Sequence, residues 1–315
     1  MEKSRYQKVK DGERRLDMKT LDMAALFGLA ALWGASFLFI RIASPVFGPI
    51  LTIQGRVTLA AAALIVFLLI SGKSLYLKQK WRQYFIIGAL NAAIPFTLIA
   101  TAALYLPASM SAILNSLTPL FTAFVIWGWM KEKLSVRKWL GTVVGVLGVS
   151  ILVGWSTLPF TKEVMIAVIL SVLSTISYGF AGVYAKKSFA GVPALSLAAG
   201  QQLGASMLLL PFTFINFPTS TSAITTVAVL SIVGLAIFCT AIAYLLYFHL
   251  INNVGPAKTL SVTFLIPVFG MMWGSFFLQE EMTLGMIVGL IVILGSVFLI
   301  SDVHLKMRFV RKRMQ

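Results

Sequence analysis

The sequence predicts an all-α integral membrane protein, with ten transmembrane helices arranged as two inverted five-helix repeats. Three observations predict it. Apolar residues make up 59% of the 315 and charged residues 11%, with a mean hydropathy of +0.92; a soluble domain carries about 45–50% and about 25%. The apolar residues fall into ten continuous runs, most near the ~20 residues that cross a bilayer core. The last five runs repeat the spacing of prolines, acids and glycines in the first five. A soluble enzyme and a disordered chain are excluded alike, and ten crossings leave little chain for a soluble domain.

Residues 1–20 carry seven basic residues and also Glu2, Asp11, Glu13 and Asp17. They are therefore unlike an acid-poor transit peptide and read as a cytoplasmic basic tail. The run at 21–43 is too long for a signal-peptide core and lacks a small-residue cleavage site, so it reads as a retained first span. Runs at 48–70, 83–104, 107–130 and 138–154 complete a first repeat, 21–154. An external linker, 155–163, leads to a second repeat, 164–301, with runs at 164–185, 193–215, 224–248, 258–278 and 283–301. Residues 302–315 form a second cytoplasmic basic tail. Lipid offers no partner to backbone N–H and C=O groups, so each run is expected to be helical. The runs do not alternate, which disfavours a barrel. Pro95, Pro119, Pro211 and Pro267 fall inside runs, where neighbouring helices can satisfy the freed carbonyls.

The net charge of +16 raises nucleic-acid binding, but that needs a basic surface patch. The basic residues sit instead in short pieces between apolar runs, so no nucleic-acid partner is expected. With the N-terminus in the cytoplasm, 23 basic residues fall on the inside and only Lys162 outside; Arg41 and Arg56 lie within runs. That bias sets the orientation, with both termini cytoplasmic.

The repeat is gapless where it is clearest. Pro119, Glu132 and Gly141 recur 148 positions later as Pro267, Glu280 and Gly289. Trp33, Gly34 and Arg41 recur 145 positions later as Tyr178, Gly179 and Lys186. Five spans are an odd number, so the second repeat must enter the membrane inverted. Inverted repeats are typical of secondary transporters, because two similar halves can exchange conformations.

The stretches ALWGASFLFIR, LNSLTPLFTAFVIWGWMKEKLS and FLIPVFGMMWGSFFLQEEMT resemble the drug/metabolite transporter superfamily, specifically its EamA-like ten-helix members. The resemblance covers about residues 24–301. It implies a central cavity between the halves and transport of small organic metabolites such as amino acids, often by export. It places the chain in a bacterial cytoplasmic membrane as a multi-pass protein, with the lipid bilayer and a small-molecule substrate as partners. The alternative is a multidrug efflux transporter for lipophilic cations. Substrate identity, coupling and oligomeric state are left open by the sequence.

Chemistry of other kinds finds little support. One cysteine, Cys239, and two histidines, His249 and His304, cannot build a multi-cysteine or histidine-rich metal site. No catalytic residue, metal or cofactor is expected. All ten acids lie in tails, loops or span edges, whereas proton-coupled carriers often use an intramembrane carboxylate. The small multidrug-resistance proteins, which the resemblance makes relatives, carry a glutamate in the first span. This chain has only Asp22 there, at the edge, which disfavours proton antiport of cations.

Arg56 is the one clearly intramembrane charge. It lies 8 residues into the second run, roughly 12 Å deep at ~1.5 Å per residue, too deep for easy snorkelling. Two readings fit: an anchor for a substrate carboxylate or phosphate, and a fixed tie to span-end carbonyls of a neighbour. The second is favoured, because the resembling family keeps an arginine here across different substrates. Arg41 and Lys186 read as interfacial, Glu132 and Glu280 as capping or ion-pairing residues, and His249 as interfacial. Cys239 reads as a small buried apolar residue. The candidate substrate-binding set is Trp33, Arg56, Asn91, Asn115, Tyr178, Gln201, Tyr244 and Thr263. Amides and hydroxyls can bind a ligand and be satisfied by water when it leaves, and aromatics supply flat apolar walls. For each one alone, helix–helix hydrogen bonding or packing is the competing reading. Gly141, Gly145 and Gly148 are expected to allow close helix packing.

Overall fold

A computed structural model of the chain describes residues 2–216 and 224–300. Every regular element among them is helical. The first is α1 (Glu2–Ile70), which merges the first two predicted runs and extends backward to Glu2. Between the runs at 21–43 and 48–70 the helix continues to Phe47 and breaks only at Gly48, at φ 75° and ψ 158°. Glycine alone reaches that conformation without Cβ strain, and Pro49 withholds a donor from the preceding turn.

The chain continues through α2 (Leu77–Gly88), a π turn at Ala89–Ala93 and α3 (Ile94–Ala102). Pro95 follows the π turn and cannot donate to Asn91, which is why the ladder slips there. Next come α4 (Ala108–Asn115) and α5 (Thr118–Met130), two halves of one predicted run. Pro119 sits in the first turn of α5, where a missing N–H costs nothing. Then α6 (Val136–Gly154) and α7 (Lys162–Ser188) follow, each with a hydroxyl N-cap, Ser135 and Thr161. The second half holds α8 (Ala194–Ile215), α9 (Thr226–Ala236), a π turn at Ile237–Ile242, α10 (Ala243–Val254), the short α11 (Pro256–Thr259), α12 (Val262–Leu278) and α13 (Leu284–Ile300). The expected tail 302–315 lies outside the described residues.

Among the described residues, seven helical segments are long and apolar enough to cross a membrane, the first being the 51-residue stretch Thr20–Ile70. The apolar helices Val262–Leu278 and Leu284–Ile300 are shorter. The side chains are distributed as lipid demands. Large apolar residues such as Ile70, Phe214 and Phe276 are exposed, while Gln54, Arg56, Gln201 and Gln202 are buried. A soluble protein would reverse this.

The repeat is visible in backbone detail. Lys131 and Gln279 stand 148 positions apart, and both adopt left-handed conformations, φ 57° and 55°, at the ends of α5 and α12. The two π turns fall at matching places in their halves. Helix α6 packs along α13 on a stripe of small residues. A Cβ at Gly141 would stand 2.6 Å from Ile300, one at Gly145 2.7 Å from Ser296, and one at Gly148 2.6 Å from Ile293. Dispersion at this range replaces the hydrophobic driving force that lipid removes.

Candidate functional site

A cavity of about 390 Å³ lies at the centre of the bundle, within the usual range for small-molecule sites. Both halves line it: α1, α3, α4 and α5 from one, and α7, the second π turn, α10 and α12 from the other. Its two ends differ. At one, Ile40 and Ile99 are 1% and 4% exposed. At the other, Leu260 is 56% exposed and Gly182 is also open. The cavity therefore opens at the end of the bundle that carries the α11–α12 break.

Helix breaks supply much of its polarity. The α4–α5 break frees the turn at Asn115–Thr118, where Ser116 Oγ donates to Ile113 O at 2.6 Å and Thr118 Oγ1 to Asn115 O at 2.7 Å. The Thr118 hydroxyl satisfies a carbonyl that the broken helix abandons, and Ser116 Oγ joins its own N–H on Ile113 O. Asn115 lines the cavity, and its Oδ1 has no hydrogen-bond partner among the described residues. The first π turn presents Asn91, whose Nδ2 donates to Gln201 Oε1 at 2.9 Å. Gln201 Nε2 in turn donates to the Tyr244 hydroxyl, which Asn91 Nδ2 also approaches at 3.5 Å.

Arg56 sits against this cluster, 4% exposed. Its Nε donates to Thr240 Oγ1 at 3.0 Å, and Thr240 Oγ1 donates to Leu235 O at 2.8 Å across the second π turn. Its Cζ lies 3.7 Å above the centroid of the Phe96 ring, a close cation–π contact. Among the described residues no carbonyl receives it; the side-chain ties are to Thr240 and the Phe96 ring, not the span-end carbonyls of the favoured reading. Arg41 makes that kind of tie instead, from Nη1 to Ala103 O at the closed end. The two Nη groups of Arg56 have no hydrogen-bond partner among the described residues, and no Asp or Glu lines the cavity.

Of the candidate residues, Trp33, Arg56, Asn91, Asn115, Tyr178, Tyr244 and Thr263 line the cavity. Gln201 stands one layer behind, holding Asn91 and Tyr244. The lining residues pair across the halves: Trp33 with Tyr178 at a separation of 145, and Phe96 with Tyr244 and Asn115 with Thr263 at 148. Sequence reasoning missed Phe37, Phe96 and Tyr247 in the walls and Thr240 beside Arg56. Phe96 carried one usable signal, its match to Tyr244. Cys239 is buried and also lines the cavity.

Contacts at the ends are lopsided. At the closed end Glu280 caps α4, accepting from Ala108 N at 2.6 Å and from Ser109. Its counterpart Glu132 is exposed. At the open end His249 Nε2 lies 3.2 Å from Asp22 Oδ1, the imidazole exposed and the carboxylate largely covered.

The chain matches the EamA-like transporter family twice, at residues 21–154 and 165–302. It is 28% identical over 284 residues to the uncharacterized transporter YvbV of Bacillus subtilis, covering 90% of this chain and 92% of that one. It is 26% identical to protein PecM of Dickeya dadantii, covering 91% and 94%. It is 27% identical to the uncharacterized inner membrane transporter YedA of Escherichia coli K12, covering 80% and 81%. A solved crystal structure, 19% identical, superposes with a TM-score of 0.63 over 89% of this chain and 96% of that one. That likeness is one of fold.

Proposed function

We propose, because this chain belongs to the EamA-like transporter family, that it is a secondary transporter exporting small organic metabolites such as amino acids through the central cavity by alternating access. The observation that carries the reading is a cavity lined by matched residues of both halves and open at one end only. A channel would be open at both ends, and a purely structural bundle would have filled the space.

Ten crossings follow if Thr20–Ile70 counts as two spans joined at Gly48 and the two shorter apolar helices cross as well. Each 17-residue helix is about 26 Å long, enough for a ~30 Å core with slight thinning. The repeats are then 21–154 and 164–301, inverted, with 155–163 external and both termini cytoplasmic in the bacterial cytoplasmic membrane. The basic bias supports that orientation. On this reading the end sealed by Ile40 and Ile99 is external, and the form described here is open to the cytoplasm.

The test is reconstitution into liposomes with labelled amino acids, other small metabolites and lipophilic cations. Saturable flux of a metabolite is expected. Flux confined to lipophilic cations would replace this reading with drug efflux, and no saturable flux of any solute would remove it.

A further inference from the structure

Within the cavity proposed above as the transport site, we infer that the substrate is an organic monoanion, a carboxylate on an apolar body, and that the two free Nη groups of Arg56 hold its carboxylate. The inference rests on the transport reading and names the substrate class.

A buried cation is costly unless a counter-charge or dense hydrogen bonding offsets it. Arg56 is 4% exposed, and among the described residues its guanidinium has one hydrogen bond, from Nε to Thr240, and one ring face, Phe96. Nε faces the protein wall, so the Nη fork is the part left for a ligand. That fork matches a carboxylate in two parallel hydrogen bonds.

The neighbouring polar atoms are donors as well. The Tyr244 oxygen receives Gln201 and is approached by Asn91, so its own proton is free to point outward. The Tyr178 hydroxyl lines the same cavity without a partner among the described residues and lies within electrostatic range of Arg56. Two hydroxyl donors and a guanidinium suit an acceptor-only group. Against an ammonium the lining sets neutral acceptors only, the unpartnered Asn115 Oδ1 and the Tyr178 oxygen, and no acid of the lining would balance its charge beside Arg56.

Charge fixes the valence. The lining holds one cation, Arg56, and its counterpart in the other half is the neutral Gln201. A dianion such as a phosphate monoester would leave one negative charge unbalanced in a mostly apolar cavity, whereas a carboxylate leaves none. Trp33, Phe37 and Tyr247 supply apolar wall for the rest of the molecule. A zwitterion fits only by resting its ammonium on a ring face or an amide oxygen such as Asn91 Oδ1.

The experiment is a charge series on three scaffolds: hexanoate, 3-phenylpropionate and phenylalanine, each against its primary amide, with hexylamine and 3-phenylpropylamine as the cationic forms. Saturable flux into proteoliposomes and thermal stabilisation of the purified wild-type protein are both read. The acid of at least one scaffold is expected to exceed its amide by about tenfold or more, the usual worth of a charged hydrogen-bond pair, and the amines are expected to be inert. Arg56→Gln should bring acid and amide together at the same low value. The wild-type comparison decides the matter even if that variant does not fold. Transport of amides or amines by preference, or flux of other solutes with no carboxylate moving, overturns the anionic class and leaves transport standing. An Arg56→Gln protein that folds and still prefers the acid removes Arg56 from the site. No saturable flux across the series and the wider solute panel overturns the transport reading itself.

Discussion

Glu280 and Ser109 are joined twice: Oε2 of the carboxylate accepts from Ser109 N at 3.0 Å and from Ser109 Oγ at 2.6 Å. Oε1 meanwhile takes Ala108 N. The acid comes from the loop after α12 and the donors from the first turn of α4, so the contact ties the two halves together at the closed end. A carboxylate on a helix N-terminus also meets the positive end of the dipole. At the open end the matching Glu132 is exposed, and the residues matching Ala108 and Ser109 in sequence are Pro256, a type with no N–H, and Ala257, a type with no hydroxyl.

Removing this tie should loosen the closed end. Glu280→Ala is expected to cost about 1–2 kcal/mol, discounted for partial exposure. It should also make Cys239, the only cysteine and a cavity residue, reactive to a thiol reagent applied from outside. Gly274→Ala should act the same way, because its Cβ would collide with the Glu280 carboxylate. Thermal melting and maleimide labelling of intact cells check both. Because both variants break one contact, their double mutant should be far less than additive.

Close packing of α6 on α13 gives a second prediction. Gly145→Leu must displace Ser296 and Leu120, whose atoms a bare Cβ would meet at 2.7 and 2.8 Å. A loss of about 1–3 kcal/mol is expected. Gly128→Leu on α5 faces open space and should stay within about 0.5 kcal/mol of wild type. Melting of the two purified variants side by side decides whether the stripe is an interface. Equal losses would show that it is not.

Much of this was legible in the chain because the bilayer makes polarity scarce. An arginine or asparagine inside an apolar run must face the bundle, so Arg56, Asn91 and Asn115 announced themselves. Phe37 and Phe96 did not, since an aromatic inside an apolar run reads the same against lipid as against a cavity. Thr240 was hidden for another reason. Its hydroxyl reaches Arg56 from a π turn, and hydrophobic periodicity does not register a single slipped turn when every neighbour is apolar. The break at Gly48 followed the same logic. The gap between the runs at 21–43 and 48–70 marks a break, yet only the backbone shows that helix persists up to Phe47.

Orientation can be tested on described, exposed positions. In a Cys239→Ala background, Thr157→Cys in the 155–163 segment should react with an impermeant maleimide in intact cells. Lys133→Cys, between α5 and α6, should react only after permeabilisation. Both residues are exposed, so a failure to react reports sidedness rather than burial. The reverse pattern would invert the topology drawn from the basic residues.

Energy coupling follows from the side chains that line the cavity. None is Asp, Glu or His, and arginine keeps its proton across the physiological range. The described lining thus offers no carboxylate or imidazole to take a proton on one side of the membrane and surrender it on the other, which is how carboxylates couple carriers to a proton gradient. A pH step across the liposome membrane should therefore drive no uphill accumulation of a transported carboxylate beyond what protein-free liposomes take up by passive diffusion of the neutral acid. The anion carries its own charge, so an interior-positive potassium diffusion potential should speed its uptake, unless a second anion returns in exchange and cancels the charge. The two cases separate cleanly: preloading the liposomes with unlabelled substrate accelerates exchange and removes the response to potential. Flux is measured with valinomycin and with a protonophore, each against an untreated control. Accumulation above the protein-free control that follows the pH step and collapses with the protonophore would place a proton relay in the path, and Asp22 and Glu280, one at each end of the bundle, would be the first to substitute.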